Sequence, residues 1–227
     1  MSIDTSTTLA ELVTANPDRV RTLEAFDLDY CCHGQRDLAA AAAEAGADID
    51  QVVAALAAVD GRRAPEQPDW ASLDVATLLE HIVAVHHAYL RDELPRLVRL
   101  GDKVRSVHGE RHTELGVVVD TLDELVSALE PHLDFEEREL FPRITALAAG
   151  DGPIDLTDVL DDHEAVGSLL DQLRAATDEF RTPADGCNSF RLFYDGLAGL
   201  DADTRLHVHK ENNLVFPALR RLPAAAG

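Results

Sequence analysis

The sequence of 227 residues predicts an all-α fold, a small N-terminal helical domain followed by an up-down four-helix bundle. Three observations carry that expectation. Apolar residues recur at helical rather than alternating spacing, and aromatic residues make up only 5% of the chain, which leaves few strand signals. Four long helical patterns follow a stretch rich in proline and charge. Two copies of one pattern stand 75 residues apart, His132-x-x-x-Glu136 with Phe141-Pro142 and His207-x-x-x-Glu211 with Phe216-Pro217.

Taken in order, short helices are expected at about 8 to 15, 17 to 26, 35 to 45 and 48 to 59, with Asn16-Pro17 as a start signal and Gly46 as a stop. They form a helical domain over 1–60, and a linker is expected over 61–71. The bundle then occupies 72–221, with helices at about 73 to 100, 113 to 148, 155 to 181 and 187 to 221. His87 shares a helix face with Val83, Leu90 and Leu94, so it points at the core. His132 aligns with Leu125, Leu129 and Glu136 in the same way. Pro131 either kinks this helix or breaks it just before the ligands.

Composition excludes several classes of function. A formal net charge of −22, from 42 acidic against 20 basic residues, repels nucleic acid and anionic lipid, so neither is an expected partner. No run of 18 apolar residues occurs, and Met1 to Leu12 lacks a basic segment followed by an apolar one, which predicts a cytoplasmic protein. Three cysteines cannot all pair, and Cys31 and Cys32 are adjacent, which suits a reducing compartment. Cys187 reads as structural.

The repeat extends to a second pair of histidines, since His87 and His163 are 76 residues apart. A duplicated helical hairpin follows, each half giving one His from its first helix and a His-x-x-x-Glu pair from its second. On a helix, residues four apart lie one above the other, so each His and Glu reach one site. A lone His on an apolar face is ordinarily a hydrogen-bonded core residue, but six donors in duplicated positions point to metal. A cation also removes the penalty of burying Glu136 and Glu211 in a bundle core. Imidazole with carboxylate and no thiolate suits iron, manganese or zinc, and six donors are too many for one tetrahedral zinc, which favours iron. His81 and His86 flank His87, and periodicity alone lets His86 face the core instead. His108 and His112 are expected in a solvated loop with Glu110 and Glu114, and His209 is expected to face away from His207. Glu137, Asp162, Glu164 and Asn212 are candidates to orient the imidazoles through their outer ring nitrogens.

Through these His-x-x-x-Glu elements the region from about 72 to 221 resembles the hemerythrin-like, or HHE cation-binding, family. The segment Asp29-Tyr30-Cys31-Cys32-His33-Gly34 resembles the Asp-Tyr-Cys-Cys signature of the family called repair of iron centres, as do Leu140-Phe141-Pro142 and Glu211-Asn212-Asn213-Leu214-Val215-Phe216-Pro217. The resemblance implies a di-iron protein that repairs iron–sulfur clusters damaged by nitrosative or oxidative stress, by iron donation, nitric oxide handling or both. Its implied cofactor is two iron ions in an oxo- or hydroxo-bridged non-haem centre, with His87, His132, Glu136, His163, His207 and Glu211 as ligands. Cys31 and Cys32 would carry the redox or transfer chemistry, activated by the start of a helix and by His33, which stands where the family commonly has Gly. Implied partners are client iron–sulfur proteins, with nitric oxide or dioxygen as small ligands, and a homodimer is left open.

Rival readings are an oxygen- or nitric-oxide-binding sensor or carrier and a nitric oxide reductase. Oxygen-carrying hemerythrins supply a fifth histidine where this chain has Gly167, which argues against dioxygen carriage.

Overall fold

A computed structural model describes residues 3–60, 70–147 and 154–219. Among the described residues the backbone is helical throughout its regular elements, with one isolated bridge between Thr8 and Asp37. The described residues fall into two compact units, one of 3–79 with 206–219 and the other within 80–205.

In the first unit, α1 (Leu9–Ala15) is started by a capping box in which Thr8 and Glu11 satisfy each other's backbone N–H groups. Asn16 ends α1 and caps the short 3-10 turn Pro17–Arg19. That turn leads into α2 (Val20–Ala25). α3 (Leu38–Ala45) starts at Asp37, whose carboxylate accepts from the Ala40 N–H, and it ends at Gly46 with φ +69°. Only glycine adopts that left-handed cap without strain. α4 (Ile49–Asp60) completes the segment. Leu9, Leu12, Val13, Leu23, Leu38, Val52 and Leu56 are buried together, and Val208 from near the C-terminal end joins them. The linker expected at 61–71 lies outside the described residues except for Trp70 and Ala71, which belong to a 3-10 turn, Trp70–Ser72.

The remaining helices make four rods, which lie in the second unit except for the start of the first and the end of the last. The first rod is α5 (Val75–His81), a π-helical turn (Ile82–His87) and α6 (Ala88–His108). The second is α7 (Glu114–Phe135), a π-helical turn (Glu136–Leu140) and α8 (Phe141–Leu147). α9 (Thr157–Ala176) and α10 (Asn188–Lys210) follow, the latter continuing into a π-helical turn (Glu211–Val215) and α11 (Phe216–Leu219). The chain passes between the two units within α5 and within α10. α7 packs on α6 and α9, and Leu90, Leu97, Leu122, Leu125, Val166, Leu170, Phe193 and Leu197 from all four rods share one buried core.

Three boundaries differ from the sequence expectation. The first rod runs to His108 instead of about 100, because Gly101 is not a stop but a close-packing point: a Cβ there would stand 2.9 Å from Phe193 Cζ. α9 ends at Ala176 rather than about 181, where Asp178, Glu179 and Phe180 take φ of 49°, 58° and 57°. Pro131 does not break α7, which runs through it to Phe135.

Candidate metal centre

The three π-helical turns coincide with three of the expected ligands. The first ends at His87, the second starts at Glu136 and the third starts at Glu211. In the latter two the closing bonds run from Phe141 N–H to the Glu136 carbonyl and from Phe216 N–H to the Glu211 carbonyl. Pro follows each Phe, and its ring excludes the carbonyl four residues back, so the backbone widens by one residue per turn instead. The widened turn brings Phe141 under the ligands, where its ring stacks on His87 at 5.6 Å between centroids.

In the second unit His87, His132, Glu136 and His163 form one buried cluster. Glu136 Oε2 stands 3.4 Å from His87 Nε2, and Glu136 Oε1 stands 3.3 Å from His132 Nε2 and 3.9 Å from His163 Nε2. The Nε2 atoms of His132 and His163 are 3.2 Å apart. Outer nitrogens face carboxylates: His87 Nδ1 lies 2.9 Å from Glu137 Oε1, and His132 Nδ1 lies 3.3 Å from Asp162 Oδ2. A carboxylate there accepts a hydrogen bond from Nδ1–H and, on a neutral ring, leaves the Nε2 lone pair pointing inward. Burial by itself would raise the Glu137 carboxyl, but hydrogen bonds from His87 and Arg91 hold it below its ordinary value. Of the four expected orienting residues, Glu137 and Asp162 therefore contact ligand imidazoles.

His207 and Glu211 belong to the first unit, both buried, with His207 Nε2 3.0 Å from Glu211 Oε1. Asn212, also expected to orient an imidazole, instead donates to the Cys31 carbonyl at 3.3 Å. Asn213 donates to the same carbonyl at 3.0 Å and to that of Tyr30 at 3.3 Å. His209 faces away from His207, as expected, with Nδ1 3.2 Å from the Tyr30 carbonyl and burial pushing its pKa down to about 4. Sequence reasoning passes over Asn213 as a positioning residue. The available signal was two consecutive amides, poor helix formers, directly after a ligand.

His86 and His87 are both buried, because they lie within the π turn Ile82–His87, whose wider winding shifts the helical phase. His86 Nδ1 lies 2.9 Å from Asp203 Oδ1 and so faces a different partner from His87. His108 corrects the expectation of a solvated residue: it is 5% exposed, with Nε2 3.2 Å from Cys187 Sγ and its ring against Phe190. Gly101 lets the helix continue far enough to bury it.

Cys31 and Cys32 do not sit at a helix start, since α3 begins only at Leu38. Their neighbour is Asp29, whose Oδ1 accepts from both cysteine N–H groups at 3.0 Å and from Cys31 Sγ at 3.1 Å. His33 Nδ1 lies 2.6 Å from Asp29 Oδ2. Burial would raise the Asp29 carboxyl, but these hydrogen bonds from His33, Cys31 and Cys32 hold it below its ordinary value.

The family model described as the hemerythrin HHE cation binding domain matches residues 77–219, and a second, described as a domain of unknown function, matches residues 5–60. The iron–sulfur cluster repair protein YtfE of Musicola paradisiaca is 33% identical over 215 residues, covering 94% of this chain and 96% of that protein. YtfE of Salmonella schwarzengrund is 31% identical over 211 residues, 92% and 94% of the two chains. A probable iron–sulfur cluster repair protein of Haemophilus influenzae is 31% identical over 213 residues, again 92% and 94%. Likeness over nearly the whole length, through both the bundle and the segment bearing the paired cysteines, places the chain in the iron–sulfur cluster repair family with a hemerythrin HHE cation-binding domain.

Proposed function

We propose that this protein repairs damaged iron–sulfur clusters from a centre of two iron ions held by His87, His132, Glu136, His163, His207 and Glu211. The observation that carries the reading is the pair of Nε2 atoms of His132 and His163 at 3.2 Å beside the buried Glu136. With Asp162 accepting a hydrogen bond from His132 Nδ1, two imidazole nitrogens and a carboxylate converge in a buried place where a cation could be held by all three. Two cations fit better than one, because the two oxygens of Glu136 face different imidazoles, Oε2 toward His87 and Oε1 toward His132 and His163. The duplicated spacing supports the same bridging role for Glu211 beside His207.

Bound iron would supply redox chemistry and a place for nitric oxide or dioxygen. The chain's own residues do the rest: Glu137 and Asp162 hold the imidazole tautomers, and the rings of His87 and Phe141 close the site by stacking. Cys31 and Cys32 serve exchange with client iron–sulfur proteins. Their reduced thiols, 3.8 Å apart, suit a cytoplasmic setting. Gly167, where a fifth histidine would stand, counts against a dioxygen carrier.

Replacing both Glu136 and Glu211 with Leu should abolish loading of two irons per chain, measured by metal analysis and the optical spectrum after anaerobic purification. Retention of two irons would sink the ligand assignment. Restored activity of a client enzyme with a nitrosylated cluster, from wild type and not from the double variant, tests the repair role.

A further inference from the structure

Two adjacent residues on an extended strand point their side chains to opposite sides, yet Cys31 and Cys32 bring their Sγ atoms to 3.8 Å. The loop is held in that shape from both sides. Asp29 Oδ1 gathers the two cysteine N–H groups, while the carbonyls of Tyr30 and Cys31 are held by Asn212, Asn213 and His209. Gly34 is required next to them, since a Cβ there would lie 2.4 Å from the Tyr30 oxygen and 2.8 Å from Asn213 Oδ1. Side chains from elsewhere in the unit therefore spend their hydrogen bonds on the backbone of this loop and leave the thiols on one side of it.

We propose that Cys31, Cys32 and Asp29 form a second cation site, for a single thiophilic divalent ion such as Zn²⁺ or Fe²⁺. A carboxylate oxygen of Asp29 and both sulfurs all lie within 4.8 Å of one another. Two thiolates bound about 2.3 Å from one tetrahedral ion stand about 3.8 Å apart, which is the separation the loop already has. Binding replaces two S–H bonds with two metal–sulfur bonds and releases two protons to solvent. His33 Nδ1 lies 2.6 Å from Asp29 Oδ2 and fixes the carboxylate beside the sulfurs.

Three protein ligands leave a fourth position, and Cys32 and His33 are both partly exposed, so an incoming thiolate could fill it. As a station for handing iron to a client, the site rests on the repair reading. As a cation site it stands on the loop alone.

The test is a Co²⁺ titration of the full-length, iron-loaded and freshly reduced protein, read by the thiolate-to-cobalt charge-transfer absorption in the near ultraviolet. Imidazole and carboxylate ligands in the bundle give no such band. We expect about one equivalent to bind, with the band lost in Cys31→Ser and in Cys32→Ser and kept in Cys187→Ser. Asp29→Asn should weaken binding by roughly 10–100-fold. Circular dichroism confirms that each variant is folded. Absence of the band in protein holding two irons overturns this site and leaves the bundle assignment standing. A band in protein that cannot hold iron in its bundle keeps the site and overturns that assignment. A band that disappears only in Cys187→Ser assigns the cobalt elsewhere and overturns the proposal.

Discussion

His132 and His163 face each other edge to face, with ring centroids 5.0 Å apart and Nε2 atoms 3.2 Å apart, on α7 and α9 of the bundle. The contact joins two helices through groups that are better placed for a cation than for each other. Metal binding should therefore stabilise the fold. With a divalent cation at about 100 times its Kd, the gain is about 2.7 kcal/mol, a rise in Tm of roughly 5–10 °C for a chain of this size. A thermal melt unchanged by Fe²⁺ or Zn²⁺ under anaerobic conditions would count against the site.

Asn213→Ala removes the donor to the Tyr30 and Cys31 carbonyls, at 3.3 and 3.0 Å. Asn212 still donates to the Cys31 carbonyl and His209 still lies against that of Tyr30, so the loss is that of ordinary hydrogen bonds, about 0.5–1.5 kcal/mol. The loop should loosen, and Cys32 should be alkylated faster by iodoacetamide, as followed by mass spectrometry of its peptide. An unchanged alkylation rate would show that the amide does not hold the loop.

Gly34→Ala acts on the same loop by a different force. Its new methyl group must displace the Tyr30 carbonyl or the Asn213 side chain. The expected loss is about 1–3 kcal/mol of stability, read from the denaturant midpoint, and a neutral substitution would contradict the close approach.

Asp201 is 1% exposed and bonds Arg205 Nε at 2.9 Å as well as the Arg174 guanidinium, tying α9 to α10. Removing it takes away the buried carboxylate the two arginines share, while Arg174 keeps Glu179 at 2.9 Å and Arg205 keeps Asp171 at 2.6 Å. Asp201→Ala should cost about 1.5–3 kcal/mol, measured by equilibrium unfolding, whereas an effect below about 0.5 kcal/mol would mean that Glu179 and Asp171 take over its role.

Cys187 lies just ahead of α10, where the Phe190 and Ser189 N–H groups lower its thiol pKa. Because the folded pKa is depressed, the thiolate fraction at neutral pH exceeds that of an ordinary cysteine and falls only as the pH drops through the lowered value. The alkylation rate of Cys187 plotted against pH should inflect at a lower pH than that of the same cysteine in the unfolded chain. An inflection at or above the unfolded-chain value would show that the helix start does not act on the sulfur.

The helices were legible because their signals are local: caps at Thr8 and Asp37, a left-handed Gly46, and apolar periods long enough to average over exceptions. The duplicated spacing made the His and Glu positions legible as a set without any structure. Interactions between distant segments were not legible. Nothing in the sequence ties Asn213 to Cys31, 182 residues away, or buries His108 against Cys187, 79 residues away. Periodicity could not separate His86 from His87 for another reason, since a regular helical period cannot describe a π turn that buries both.

Those widened turns join two angular frames within one rod. Upstream, the four-residue step from His132 to Glu136 follows the ordinary helical period, and so does that from His207 to Glu211. From Glu136 to Phe141, and from Glu211 to Phe216, the step is five, and the wider turn makes five residues come round to nearly the same side. Ligand placement and aromatic support are thereby set by separate rulers. A one-residue deletion between Glu136 and Phe141 would swing Phe141 away from His87 while leaving the ligand spacing intact, so the tolerance of this segment to length change is far narrower than its tolerance to substitution.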